Sequence, residues 1–150
     1  MPATAADAQV IMQLYDLRRE PELRKARNWY AMEFNPTSVD DIMNYVMDMT
    51  ADSNRYFRMV TSYWEMAASM ALHGAVNEEL FLDTQAEMFF VMAKLNPYLA
   101  GLREKMQSPD AMKKCETLIN KSEASKKKLE AFIARLERFK AMRAAAAQKK

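Results

Sequence analysis

A chain of 150 residues suits one domain, large enough to bury about two thirds of its unfolded surface. Two glycines, scarce β-branched residues and a surplus of Ala, Met, Leu, Glu, Lys and Arg exclude hairpin-rich β folds and glycine-built phosphate loops, while one cysteine excludes an internal disulfide and fits a reducing, cytoplasmic setting. The formal charge of +2 hides a split: residues 1–112 hold 10 Lys/Arg against 16 Asp/Glu, a net −6, and residues 113–150 hold 12 against 4, a net +8.

Met1–Ala6 reads as a frayed end with neither the basic start nor the apolar run of a signal peptide. An amphipathic helix follows from Asp7, with Val10, Ile11, Leu14, Tyr15 and Leu17 on its apolar side. Pro21 would remove a hydrogen bond in mid-helix and is placed as the first residue of a second helix, Pro21–Phe34. Arg18, Arg19, Arg24, Lys25 and Arg27 cluster around that junction, as a solvated face or an anion contact. Asn35-Pro36-Thr37-Ser38 is a loop and cap for a third helix, Val39–Met49, which buries Ile42, Met43, Val46 and Met47.

The central stretch, Asp52–Leu95, reads as a hairpin of two apolar helices. Its first arm is apolar over most of its circumference, leaving one polar line of Arg55, Arg58, Ser62, Glu65 and Ser69. Gly74 is the expected left-handed stop and Asn77 the expected cap of the second arm. After Leu95, Asn96-Pro97 restarts a short helix to Met106, and Ser108-Pro109-Asp110 repeats that signal.

From Asp110 to Ala147 the pattern is helical, as one long helix or as two, with Asn120–Glu123 as a candidate capping box between them. Cys115, Leu118, Ser122, Ser125, Leu129, Phe132, Leu136, Phe139 and Arg143 advance by threes and fours, a heptad seam that is continuous only over Leu129–Phe139. The last residues, from Ala144, are expected to fray.

The arrangement Tyr63-Trp64, Ala67, Gly74 and Asn77-Glu-Glu-Leu-Phe81 resembles a family of uncharacterised bacterial all-helical proteins. Leu14-Tyr-Asp-Leu-Arg-Arg19, Arg24-Lys-Ala-Arg27 and Asn96-Pro97-Tyr98 are similar to the same group, so the likeness covers roughly residues 14–106. Some members carry transmembrane helices, whereas the longest apolar run here, Met88–Ala93, is far short of a span. The resemblance implies an all-α fold and brings no activity and no catalytic residue.

Few residues suggest chemistry. Glu79, Asp83 and Glu87 share a helix face, which is a solvated acidic face or one answered by Arg/Lys more readily than a metal site, because no Glu-x-x-His accompanies them. His73 is the lone histidine, in the last turn of a helix where a ring nitrogen can bond a free carbonyl. Cys115 follows two lysines that would lower its pKa, but reads first as a buried small hydrophobe. The methionine pairs Met43/Met47, Met66/Met70 and Met88/Met92 read first as core, with an adaptable groove for partner helices or apolar ligands as the alternative, and the aromatics Trp29, Tyr30, Phe34, Tyr63 and Trp64 read as core.

The expected architecture is therefore an irregular all-α bundle of six or seven helices around the hairpin at 52–95, with a core domain over 1–112 and a basic amphipathic helix over 113–150. The expected role is a non-enzymatic interaction or scaffold module without cofactor or metal, self-associating or bound to a protein partner through Leu129, Phe132, Leu136 and Phe139. The alternative is nucleic-acid binding, with Lys126, Lys127, Lys128, Arg135, Arg138 and Arg143 as anion contacts.

Overall fold

A computed structural model describes residues 1–149. Among them are nine α-helices, one 3-10 turn and no strand. Local chemistry explains most helix ends. The first helix, α1 (Ala5–Leu17), starts at a reciprocal box in which the Thr4 hydroxyl accepts from the Asp7 backbone and Asp7 accepts from Thr4. Pro21 opens α2 (Pro21–Met32), and Ser38 caps α3 (Val39–Met47) by accepting from the Asp41 N–H at 3.1 Å. The third helix ends two residues earlier than its pattern suggests, because Asp48 leaves helical geometry and accepts from both the backbone and the hydroxyl of Thr50. Met47 is consequently 71% exposed rather than buried.

The fourth helix, α4 (Asp52–Leu72), is the longest of the core and buries Phe57, Val60, Tyr63, Trp64, Ala67, Ala68 and Ala71. It stops at Gly74, whose φ of +72° is the left-handed conformation that glycine takes without a Cβ penalty. Asn77 then caps α5 (Glu78–Thr84) by accepting from the Leu80 N–H at 2.9 Å. Here the expected second arm breaks. The Thr84 hydroxyl donates to the Leu80 carbonyl at 2.7 Å, Gln85 leaves helical geometry, and a new helix, α6 (Ala86–Leu95), begins.

The hairpin is therefore not the pair of facing rods expected over 52–95. An apolar circumference on α4 needs cover on several sides, and the seven-residue α5 is too short to supply it. The main neighbours of α4 are α2 and α8 (Lys113–Asn120), while α6 lies chiefly against α9 (Glu123–Ala147). Asn96–Tyr98 forms the 3-10 turn that leads into α7 (Leu99–Lys105), where Gly101 lets α7 approach the Val39 side chain of α3.

The expectation of six or seven helices also gives way at the C-terminal end. Ser122, not Asn120, caps α9, accepting from the Ser125 N–H at 3.1 Å, so residues 113–147 form two helices. Cys115, Leu118 and Ile119 of α8 are fully or nearly fully buried and join the same apolar cluster as Trp64, Phe81, Met88, Phe89 and Met92. Two tyrosines anchor that cluster through their hydroxyls: Tyr30 donates to the Val91 carbonyl at 2.8 Å and Tyr63 to the Leu14 carbonyl at 2.5 Å. Burial raises both phenols, Tyr63 to about 12. No described helix is long and apolar enough to cross a membrane.

Candidate functional site

The seam expected on the C-terminal helix is split along its length. Leu129 and Phe132 are half-buried against the core, where Phe132 stacks on Phe89 with ring centroids 6.2 Å apart. One turn further, Leu136 is half-buried and Phe139 is 53% exposed. Beneath them the distal half of α9 stands off from the core and leaves a cavity of about 230 Å³. Its walls come from the C-terminal end of α2, the loop at Asn35-Pro36, the end of α6, the 3-10 turn and α9 itself.

The cations of α9 do not converge on one surface. Lys126 pairs with Glu123 at 2.8 Å, and Lys128 donates to the Leu82 carbonyl at 2.7 Å while lying 4.6 Å from the centre of the Phe89 ring. Arg135 sits 4.9 Å from the Phe132 ring centre. Lys127 and Arg138 are exposed on the outer face, and Arg143 stands at the rim of the cavity with Lys140. Of the six expected anion contacts, Lys128 is thus engaged in holding α9 to its own body, while Lys126 and Arg135 are taken up by side chains of α9 itself.

Lys94, which sequence reasoning passed over, closes the inner end of the cavity. It is 8% exposed, and its ammonium donates to the carbonyls of Tyr30 and Phe34 at 2.7 Å and of Ala31 at 3.1 Å. These are carbonyls at the end of α2 and just beyond it, which no further turn of helix satisfies, so Lys94 caps α2 from another helix. Burial, with Arg143 and Lys140 nearby, pushes its ammonium down to about 8, leaving it a cation at neutral pH. The signal was in the sequence: Lys94 is the one charge between Met88 and Leu95.

The acidic row Glu79, Asp83, Glu87 is not a cluster. Glu79 and Asp83 are exposed, whereas Glu87 receives Arg27 through Nε and Nη2, the shortest contact being 2.7 Å, with Arg18 at 3.6 Å. Arg18 also lies 5.2 Å and 5.5 Å from the ring centres of Tyr15 and Trp64. Two of the five cations around Pro21, Arg18 and Arg27, are therefore structural counter-ions to Glu87, while Lys25 pairs with Glu22 and Arg24 donates to the Arg19 carbonyl. The Glu87 carboxylate holds the Arg27 guanidinium above its ordinary value. No group of three His, Cys, Asp or Glu among the described residues has the geometry to hold a metal ion.

His73 is exposed and caps its own helix, Nδ1 lying 2.8 Å from the Ser69 carbonyl. Cys115 is fully buried. Burial first, and then the Glu65 carboxylate, push its thiol well up, so the two preceding lysines do not activate it. Lys113 is instead paired with Glu116 at 2.9 Å.

No curated protein and no solved structure matches the chain. Residues 3–122 match the family described as a domain of unknown function, DUF4760, a span that holds α1 to α8 and ends on the residue that caps α9. With 120 of its 150 residues inside that match, the chain belongs to this family.

Proposed function

We propose that the protein is a non-enzymatic helical interaction module that self-associates through the distal half of α9. The observation that carries this reading is the state of that half-helix: Phe139 and Met142 are 53% and 65% exposed, among Arg138, Lys140 and Arg143. A large apolar side chain left in water among cations gains from covering by an apolar surface with acids around it. The rest of the chain offers the complementary charge, since residues 1–112 carry a net −6 against +8 beyond them. Glu79 and Asp83 of α5 are exposed and make no ion pair among the described residues. A second copy therefore fits the arm, each α9 reaching the acidic body of its neighbour in a reciprocal, closed arrangement.

In this reading the accessory element starts at Ser122 rather than at residue 113, because Cys115, Leu118 and Ile119 are needed by the core. Leu129 and Phe132 hold the arm to its own body, and Leu136 and Phe139 mark where it becomes available. A reducing, cytoplasmic setting agrees with a sealed, lone thiol.

Light scattering tests the reading. The wild-type chain is expected to run as a dimer whose mass falls as salt screens the charge contacts, and Phe139→Asp to run as a monomer with an unchanged helical circular dichroism spectrum. Equal masses for the two proteins would remove self-association. Retention of short RNA or DNA at low salt, lost as salt rises, would favour nucleic acid instead.

A further inference from the structure

The cavity under α9 has a composition that its own fold does not account for. Phe90, Ala93, Pro97, Ile133 and Leu136 make its walls apolar, and its volume of about 230 Å³ lies below the roughly 300–1,000 Å³ of drug-sized ligand sites, which limits it to a small, slender ligand. Its charges are lopsided. Lys94, Lys140 and Arg143 line it against a single carboxylate, Glu137, and none of the three cations forms a salt bridge among the described residues. Lys94 meets neutral carbonyls, the amide oxygen of Asn35 and the faces of Tyr30 and Phe90, but no carboxylate. A cation in a low-dielectric site without a counter-ion favours any anion that can reach the rim.

We propose that this cavity binds a medium-chain aliphatic monocarboxylate, its tail among Phe90, Ile133 and Leu136 and its carboxylate at the rim beside Lys140 and Arg143. Each half of that ligand answers one feature of the site. An inorganic anion would leave the apolar walls wet, and a neutral hydrocarbon would leave the excess positive charge unanswered. Burial is the main cause that lowers the Lys94 ammonium, and Arg143 and Lys140 add to it from exposed positions at the rim. Phe139 lines the cavity as well as the face offered to a second copy, so the variants that test the ligand leave Phe139 in place.

Titration calorimetry of the full chain with decanoate, below its micelle concentration, tests the proposal. Saturable one-to-one binding is expected with a dissociation constant on the order of 100 µM. The charge-reversed pair Lys140→Glu with Arg143→Glu, both at exposed positions, should weaken binding at least roughly tenfold, and decanol should bind the wild type roughly tenfold more weakly than decanoate. Ala93→Phe, which fills the cavity, should abolish binding. If it fails to fold, the charge-reversed variant carries the test alone. Absence of saturable heat at millimolar decanoate, or equal binding of decanoate by the wild type and the charge-reversed variant, would overturn the proposal, as would equal affinity for decanol. A monomeric wild type that binds decanoate in this pattern would separate the site from the self-association reading.

Discussion

Glu87→Ala is expected to destabilise the chain by about 3 kcal/mol, read from urea unfolding, because it strands two guanidinium groups. Arg18 and Arg27 have side chains only 11% and 29% exposed, and Glu87 is the only carboxylate with which either forms a salt bridge among the described residues. Removing the carboxylate leaves their charge facing α6 and the Trp64 ring with no acid to balance it. Arg27→Met should cost less than Glu87→Ala, since Arg18 remains 3.6 Å from the carboxylate. The double variant Arg27→Met with Glu87→Leu should recover part of the loss, because a buried pair replaced by apolar side chains no longer carries a desolvation cost. A loss below about 0.5 kcal/mol for Glu87→Ala, the range of an exposed ion pair, would show that water screens this network.

Lys94→Met is the second large effect, expected at about 3 kcal/mol. The substitution keeps the apolar stem and removes three charge-assisted donors, leaving the carbonyls of Tyr30, Ala31 and Phe34 unpaired around an apolar tip. Those carbonyls terminate α2, so the end of that helix should lose amide protection before the rest of the core. The Trp29, Tyr30 and Phe34 rings that α2 and its exit carry pack on one another, with Tyr30 and Phe34 stacked at 4.7 Å, which makes local fraying costly. If Lys94→Met unfolds at the same urea concentration as the wild type, cavity water satisfies the carbonyls and Lys94 is no cap.

These two residues show where the sequence is informative and where it is not. Helix starts and stops are written locally: Pro21, Ser38, Gly74 and Asn77 each act within four residues of themselves, and each does in the structure what its type implies. The burial of Trp29, Tyr30, Phe34, Tyr63 and Trp64 was equally legible, since large aromatics on helical faces have few other places to go. What covers a face is not written beside it. The apolar circumference of α4 suggested its sequence neighbour as partner, but α2 and α8 take that place.

Long-range polar pairing is hidden for the same reason. Glu87 stood in a row with Glu79 and Asp83, and only the break at Gln85 with the approach of α2 turns it toward Arg27, 60 residues away. The methionines divide likewise. Met88 and Met92 are buried, whereas Met47 and Met66 are 71% and 47% exposed, a difference that periodicity does not carry because it follows from where α3 ends and what flanks α4. On α9 the pattern marked Leu129 to Phe139 as one seam. The core beneath reaches Leu129 and Phe132 and then falls away, and that mismatch creates both the exposed arm and the cavity.

Hydrogen exchange of the wild-type chain, measured by mass spectrometry at low and at high protein concentration, asks most directly whether the outer end of α9 seeks a second copy. Peptides over residues 123–133 should be protected at both concentrations, and peptides over residues 137–147 should exchange quickly when dilute and slow markedly when concentrated. Unchanged rapid exchange over 137–147 across that range would mean that the arm meets no second copy, and self-association would be withdrawn.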